Sequence, residues 1–208
     1  MSEDKQKIFD DLKKVMREDK GLPLRNGATN LVLGEGNLSA DIMCIGEAPG
    51  FWEDKQGRPF VGAAGKLLDR LLLSIKLPRE DVFISNVICY RPPQNRDPSP
   101  EEISLFQPYV DKLIDLIKPK VIITLGRFSM GKFLPGVKIS SIHGKPEVVN
   151  WKGNSVTIIP MFHPAAALRS GEVMQIIKDD FLSIPEIIKG IKEELDKEKN
   201  KVEQMQLV

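Results

Sequence analysis

The stretch Gly46-Glu47-Ala48-Pro49-Gly50-Phe51-Trp52-Glu53-Asp54-Lys55-Gln56-Gly57-Arg58-Pro59-Phe60-Val61-Gly62 joins two segments of opposite character. Before it stands Asp41-Ile42-Met43-Cys44-Ile45, a short apolar run that reads as a buried strand. After it, Ala63-Ala64-Gly65-Lys66-Leu67-Leu68-Asp69-Arg70-Leu71-Leu72 repeats its apolar residues at helical spacing. The connection itself reads as a long Gly/Pro-rich loop carrying carboxylates and aromatic rings. Loops at strand ends are where α/β proteins place their chemistry.

The same alternation continues along the chain. Residues 3–17 place Ile8, Leu12, Val15 and Met16 three and four apart, the pattern of an amphipathic helix. Residues 18–40 read as an extended excursion around Leu31-Val32-Leu33. Helix is expected from about 62 to 76, and a second strand over Asp81–Cys89. The prolines of 90–98 forbid regular structure there. Ser99-Pro100-Glu101-Glu102 then starts a helix running to Lys118, with a serine cap, a first-turn proline and early acids. Val121–Leu125 is the third strand, and a short helix from Arg127 to Phe133 follows. Two strand-like runs flank Lys152-Gly153-Asn154 as in a hairpin, and the second, ending before Phe162-His163-Pro164, is the fourth core strand. A helix is expected over 171–198, with 199–208 a frayed tail. Continuous apolar strands alternating with helices argue a parallel sheet covered on both faces. The expected fold is therefore one domain over 1–208, a three-layer α/β/α sandwich around a central, mainly parallel, four-stranded sheet.

Composition narrows the function classes. At 208 residues and 41% apolar content the chain suits one soluble core. No apolar run approaches the roughly 20 residues of a membrane helix, and the charged N-terminus has no signal core behind it. A cytoplasmic location without membrane partners is the expectation. Cys44 and Cys89 lie in apolar runs and make no disulfide framework. With only His143 and His163 besides, no cluster has metal-ligand spacing, so no metal is expected. The net charge of +1 hides any local basic face. The glycines of 46–62 fit neither phosphate-binding nor dinucleotide-binding fingerprints.

In a parallel sheet the carboxyl ends of the strands share one edge, and ligands bind in the crevice there. Glu47, Asn86, Gly126 and His163 all fall at such ends. Each has a structural reading too. Glu47 can cap a turn, and Glu53 and Asp54 read by default as solvated loop charges. Phe60 is either packing or a stacking platform for a planar ligand. Asn86 is the odd polar residue in an apolar strand, and its amide must pair locally or read a ligand, because burial without a partner is costly. His163, between Phe162 and Pro164, is structural or functional, whereas His143 has no comparable context and reads as structural or surface.

These residues carry a resemblance. Gly46-Glu47-Ala48-Pro49-Gly50 with Glu53-Asp54, Gly57-Arg58-Pro59-Phe60-Val61-Gly62 and Ala64-Gly65 resembles the first motif of the family 4 uracil-DNA glycosylases. Ser85-Asn86-Val87 with Arg91-Pro92-Pro93, Asn95-Arg96 and Pro98–Glu102 resembles the second block. His163-Pro164-Ala165 with Leu168-Arg169 resembles the second catalytic motif. The likeness spans about residues 19–180. It implies an α/β/α sandwich that hydrolyses the N-glycosidic bond of deoxyuridine in single- or double-stranded DNA. Carried over, Phe60 would stack on the extruded uracil and Asn86 would read its polar edge. His163 would donate to the uracil O2. Glu47 would position water or stabilise the sugar cation, and Glu53 would line the pocket where a thymine methyl would fit. Leu168 is then a candidate wedge and Arg169 a candidate phosphate contact. Arg58, Lys66, Arg91, Arg96, Arg127 and Arg169 are candidates for a basic face.

The family usually carries four cysteines that hold an iron–sulfur cluster. In register those positions are Asp19, Leu22, Tyr90 and Phe106 here, none of them a ligand of that kind. The expectation is an enzyme without a cofactor, acting as a monomer, in which Leu22, Tyr90 and Phe106 pack together instead. The competing readings are a related glycosylase that accepts hypoxanthine or xanthine, and a DNA-binding module without turnover. Glu47 at the acidic position favours uracil chemistry, and the joint presence of Glu47, Asn86 and His163 favours turnover.

Overall fold

The computed structural model describes residues 2–206, with side chains from 3 to 193. The chain runs through α1 (Ser2–Glu18), β1 (Glu35–Gly36), β2 (Ile42–Gly46), α2 (Phe51–Gln56), α3 (Ala63–Ser74) and β3 (Phe83–Asn86). It continues through α4 (Pro100–Ile117), β4 (Val121–Leu125), α5 (Arg127–Phe133), α6 (Ile139–Ile142), β5 (Glu147–Trp151), β6 (Asn154–Met161), α7 (Pro164–Ala167) and α8 (Gly171–Gln206). α8 extends the helix expected over 171–198 through most of the segment expected to fray; residues 207 and 208 lie outside those described. Among the described residues no helix is long and apolar enough to cross a membrane.

The sheet corrects the four-stranded expectation. It has six strands in the order β1-β3-β2-β4-β6-β5. The four inner strands are parallel, as their apolar runs demand, and β1 and β5 add antiparallel edges. β5 is the first arm of the hairpin expected around Lys152-Gly153-Asn154, whereas β1 escapes a sequence reading, and neither edge counts among the core strands for physical reasons. β1 is only two residues long, and β5 is mostly exposed, so neither shows the apolar signature of a covered strand.

Helices cover both faces. On one, α1 and α4 deliver Phe9, Leu12, Met16, Phe106, Val110 and Leu113 onto Met43, Ile45 and Phe83. On the other, α3 and α8 deliver Leu68, Leu72, Ile177 and Phe181 onto Cys44, Ile84, Ile123 and Ile159. α4 starts where the sequence says it should: Ser99 accepts from the Glu102 backbone N–H, and Glu102 returns the bond to the Ser99 N–H. Burial pushes both thiols, Cys44 and Cys89, up to about 12, so they serve as small apolar groups.

The four positions that the resemblance would make cluster ligands are filled otherwise. Leu22, Tyr90 and Phe106 are buried in one apolar cluster, and the Tyr90 and Phe106 rings meet edge-on with centroids 6.1 Å apart. Asp19 is engaged by the Tyr109 hydroxyl at 2.5 Å and the Gly21 N–H at 2.8 Å, which holds its carboxyl below the usual range. A leucine, a tyrosine and a phenylalanine buried in one apolar cluster, with a carboxylate already engaged by two donors, supply none of the thiolates that hold iron and sulfide, so the residues present do not fit that group.

The chain leaves β2 for β3 on one side and later occupies β4 and β6 on the other. The carboxyl ends of β2 and β4 therefore border a topological switch point, the place where an open α/β sheet forms its crevice.

Candidate active site

A pocket opens at that edge, with a volume of about 350 Å³. Glu47, Gly50, Glu53 and Phe60 line it from the segment after β2, Arg96 and Asp97 from the segment after β3, and His163 and Arg169 from the segment after β6. Residues far apart in sequence thus converge because parallel strands end together.

The segment after β2 is more ordered than a loop. Residues 51–56 form α2, which ends at Gly57 in the left-handed region with φ 68°. The two acids read as solvated charges are both structural. Asp54 is buried and accepts from the Thr29 and Asn30 N–H groups at 2.8 and 3.1 Å. Glu53 Oε1 accepts from the Val61 and Gly62 N–H groups at 2.9 and 2.8 Å, closing the segment into a clasp at the pocket wall.

That clasp sets Phe60. The residue is buried and sits at φ 51°, a conformation costing an L-residue about 1–2 kcal/mol. Arg79 holds it there, donating to the Phe60 carbonyl at 3.1 Å and the Pro59 carbonyl at 2.5 Å while pairing with Asp69 at 2.9 Å. Gly65 completes the seat, since a Cβ there would overlap the Phe60 carbonyl. Sequence reasoning missed Arg79, because nothing local to a Pro-Arg-Glu turn announces a partner twenty residues upstream.

Asn86 lies at the end of β3, 1% exposed, beneath Gly46 and Phe60 rather than on the open lining. A Cβ on Gly46 would stand 2.5 Å from both Asn86 Oδ1 and the Phe60 ring, so glycine is what lets these groups meet. Asn86 Oδ1 is fully buried without a hydrogen-bond partner, one of two such atoms among the described residues, the other being Thr124 Oγ1. An unpaired buried acceptor costs about 1–3 kcal/mol.

His163 caps α7, its Nδ1 accepting from the Ala165 N–H at 3.1 Å. The neutral ring therefore carries its proton on Nε2, which has no partner among the described residues. Burial pushes its pKa down to about 4, with the Glu53 carboxylate pulling weakly the other way. The imidazole stacks on Phe60, centroids 5.7 Å apart and planes 29° apart. His143, read from sequence as structural or surface, supports this segment from behind. Its Nδ1 meets Asp180 Oδ2 at 2.8 Å, and its ring lies 5.0 Å from that of Phe162, the residue before His163.

Glu47 follows β2 directly and is half-buried. Burial raises its carboxyl above the ordinary range, Asp97 adds to the rise, and Arg127 opposes it. Asp97 is itself ion-paired with Arg127.

Of the six cations expected on a basic face, Arg58 pairs with Glu35, Arg96 with Glu102 at 2.6 Å, and Arg127 with Asp97. Lys66, Arg91 and Arg169 make no ion pair among the described residues. Arg91 instead donates to Asn95 Oδ1 at 2.7 Å and lies over the Phe51 ring. Leu168 stands 45% exposed just after α7, next to Arg169 on the pocket rim.

Known proteins are similar to this chain in sequence. The sequence model of the Uracil DNA glycosylase superfamily matches residues 33–181. A Type-4 uracil-DNA glycosylase of Sulfurisphaera tokodaii is 45% identical over 190 residues, 86% of this chain and 86% of the relative. The Type-4 uracil-DNA glycosylase of Archaeoglobus fulgidus is 43% identical over 185 residues, 86% of this chain and 92% of the relative. That of Thermotoga maritima is 43% identical over 169 residues, covering 80% and 88%. With its pocket at the switch point and its motifs within the matched span, the chain belongs to the uracil-DNA glycosylase superfamily.

Proposed function

We propose that this chain is a DNA-repair hydrolase that cleaves the N-glycosidic bond of deoxyuridine in DNA, releasing uracil and leaving an abasic site. The observation that carries the reading is the pairing of opposite hydrogen-bonding needs beside one aromatic ring. Asn86 Oδ1 is a buried acceptor without a donor, and His163 Nε2–H is a donor without an acceptor. Phe60 lies against both. A flipped uracil stacked on Phe60 offers an N3–H to the first and a carbonyl oxygen to the second.

The chemistry follows from charge. As the C1′–N1 bond breaks, the electron pair leaves with uracil and the sugar becomes cationic. His163 donates to the uracil O2 as negative charge builds there, and a neutral imidazole does so without being a stronger acid than the task needs. Glu47 faces the sugar, stabilises the cation and takes a proton from the water that adds to C1′. The uracil anion is protonated by solvent after release. Glu53, held rigid by the Val61 and Gly62 amides, forms the wall that leaves no room for a thymine methyl. Leu168 fills the space the extruded base vacates, and Arg91 and Arg169 contact phosphates.

In this reading residues 1–208 act as one domain and as a cytoplasmic monomer that needs no metal or other cofactor. The test is to incubate the protein with single-stranded and duplex uracil oligonucleotides and cleave abasic sites with alkali. Strand breaks at uracil are expected, and their absence on every substrate ends the proposal. Competition among uracil, hypoxanthine, xanthine and mismatched thymine separates uracil excision from a broader base range.

A further inference from the structure

Two large aromatic side chains stand exposed at the mouth of the pocket. Trp52 is 57% exposed and Phe51 is 42% exposed, adjacent on α2 between the pocket-lining residues Gly50 and Glu53. They meet edge-to-face with centroids 5.2 Å apart, planes 81° apart. Such rings are normally buried, and an exposed pair beside a functional opening marks a contact surface.

The surroundings indicate what the contact is. Lys55 Nζ lies 5.2 Å and the Arg91 guanidinium 5.1 Å from the centre of the Phe51 ring. Neither cation has an ion pair among the described residues. Phe51 is thus occupied by cations, and the Trp52 indole is left as the open face. The indole lies beside Gly62. Its Cδ1 lies 3.7 Å from where a Cβ of Gly62 would stand, and the Gly62 N–H is bonded to Glu53, the next residue along α2. A flat ring beside unpaired cations is the surface that single-stranded nucleic acid uses: bases stack on the ring and phosphates follow the charge.

We propose that Trp52 is a stacking platform for an unpaired base that flanks the extruded uracil, with Lys55 and Arg91 taking the neighbouring phosphates. The inference rests on the glycosylase reading for the position of the uracil, but the platform makes its own binding contacts. It continues the pocket outward along the strand, from Phe60 inside to Trp52 at the rim.

Trp52 and Trp151 are the two tryptophans of the chain, so intrinsic fluorescence reports the contact directly. Trp151 donates to Asp115 on the β5 side and serves as the control. Titrating a uracil-free single-stranded oligonucleotide is expected to quench the wild-type protein and W151F, but not W52F. W52A weakens Kd by roughly 10-fold, the loss of one base stack, whereas W52F keeps most of the affinity because a ring remains. Lys55→Ala flattens the salt dependence by about 0.7 in log–log slope, the loss of one phosphate contact on a single strand. Uracil release by the same preparations is measured alongside. Normal uracil release without quenching, or with an unchanged Kd in W52A, overturns the platform. Quenching without any uracil release supports the platform and ends the glycosylase reading instead.

Discussion

The pocket at the carboxyl edge of the sheet and the corner formed by Asp19, Leu22, Tyr90 and Phe106 are built on opposite principles. In the pocket, Asn86 Oδ1 is buried without a partner, Phe60 sits in a left-handed conformation, and the His163 imidazole is held neutral by burial. The unpaired amide oxygen and the left-handed backbone are costs that the free protein carries. In the corner, Leu22, Tyr90 and Phe106 are buried in one apolar cluster and the one carboxylate has two donors. Nothing there waits for a ligand. Strain retained at one place and relieved at another separates what the chain keeps for binding from what it uses to stay folded.

The largest effects should come from the pocket and appear in rate rather than stability. Glu47→Gln is expected to slow single-turnover excision by about 10²–10⁴-fold, the usual loss for a positioned acid or base. His163→Ala removes one preorganised donor and is expected to cost about 10²–10³-fold. Both proteins should still bind uracil-containing DNA in gel-shift titrations. Wild-type excision by Glu47→Gln would remove that residue from the mechanism and erase half of the comparison.

The corner should behave in reverse. Phe106 is fully buried, so Phe106→Ala is expected to lose about 3–5 kcal/mol in urea unfolding while the folded fraction excises at the wild-type rate. The purified protein should contain neither iron nor acid-labile sulfide. Iron at stoichiometric level, or excision that falls in step with the metal content, would show that the corner is a ligand site after all.

Asn86→Leu tests both principles in one side chain. It replaces an amide whose oxygen is buried without a partner by a hydrocarbon of similar volume, so thermal unfolding should report a gain of about 1–3 kcal/mol. Excision should fall at the same time, because the uracil edge loses its acceptor. A variant that is less stable as well as inactive would mean that the amide has a structural partner in solution.

Much of this contrast was legible in the residues, and the remainder is instructive. The four inner strands were readable because strands covered on both faces must be continuously apolar, and α4 because its cap, proline and acids leave little alternative. Of the edges, β1 was not, since it is two residues long, whereas β5 was readable as the first arm of a hairpin around Lys152-Gly153-Asn154 though not as a strand of the core. Within the site, strand ends brought Glu47, Asn86 and His163 to one edge, as parallel topology requires. What the pattern could not supply was support at long range. Arg79 behind Phe60, Asp54 under residues 29 and 30, and His143–Asp180 behind Phe162 are each set by tertiary contact with no local signal. Asp54 and Glu53 show the direction of the error: carboxylates in a Gly/Pro stretch look solvated, yet here they satisfy backbone N–H groups that a tight clasp would otherwise strand.

The smallest expected effect is a displacement along the pH axis, and it separates the two titrating groups of the pocket. Excision in this reading needs Glu47 ionised and His163 neutral. An ordinary histidine near 6.5 would charge first as pH falls, but burial leaves His163 neutral down to about 4. Glu47 moves the other way: burial, then the negative charge of Asp97, raises its carboxyl, so it protonates at higher pH than an exposed glutamate. The acid limb of kcat/KM therefore belongs to Glu47 and should lie above the ordinary carboxylate range. Stability should carry the opposite signs for the two groups. The depressed His163 makes the fold lose stability as pH falls from 6.5 towards about 4, where the unfolded chain takes up the proton and the native one does not. The raised Glu47 makes it lose stability as pH rises through the carboxyl's own window. Asp97→Asn distinguishes the causes: it removes the repulsion and frees Arg127 from its ion pair to face Glu47. The acid limb should then shift to lower pH while the histidine-linked change in unfolding stability stays where it was. An unmoved limb would place some other group in control of the acid side.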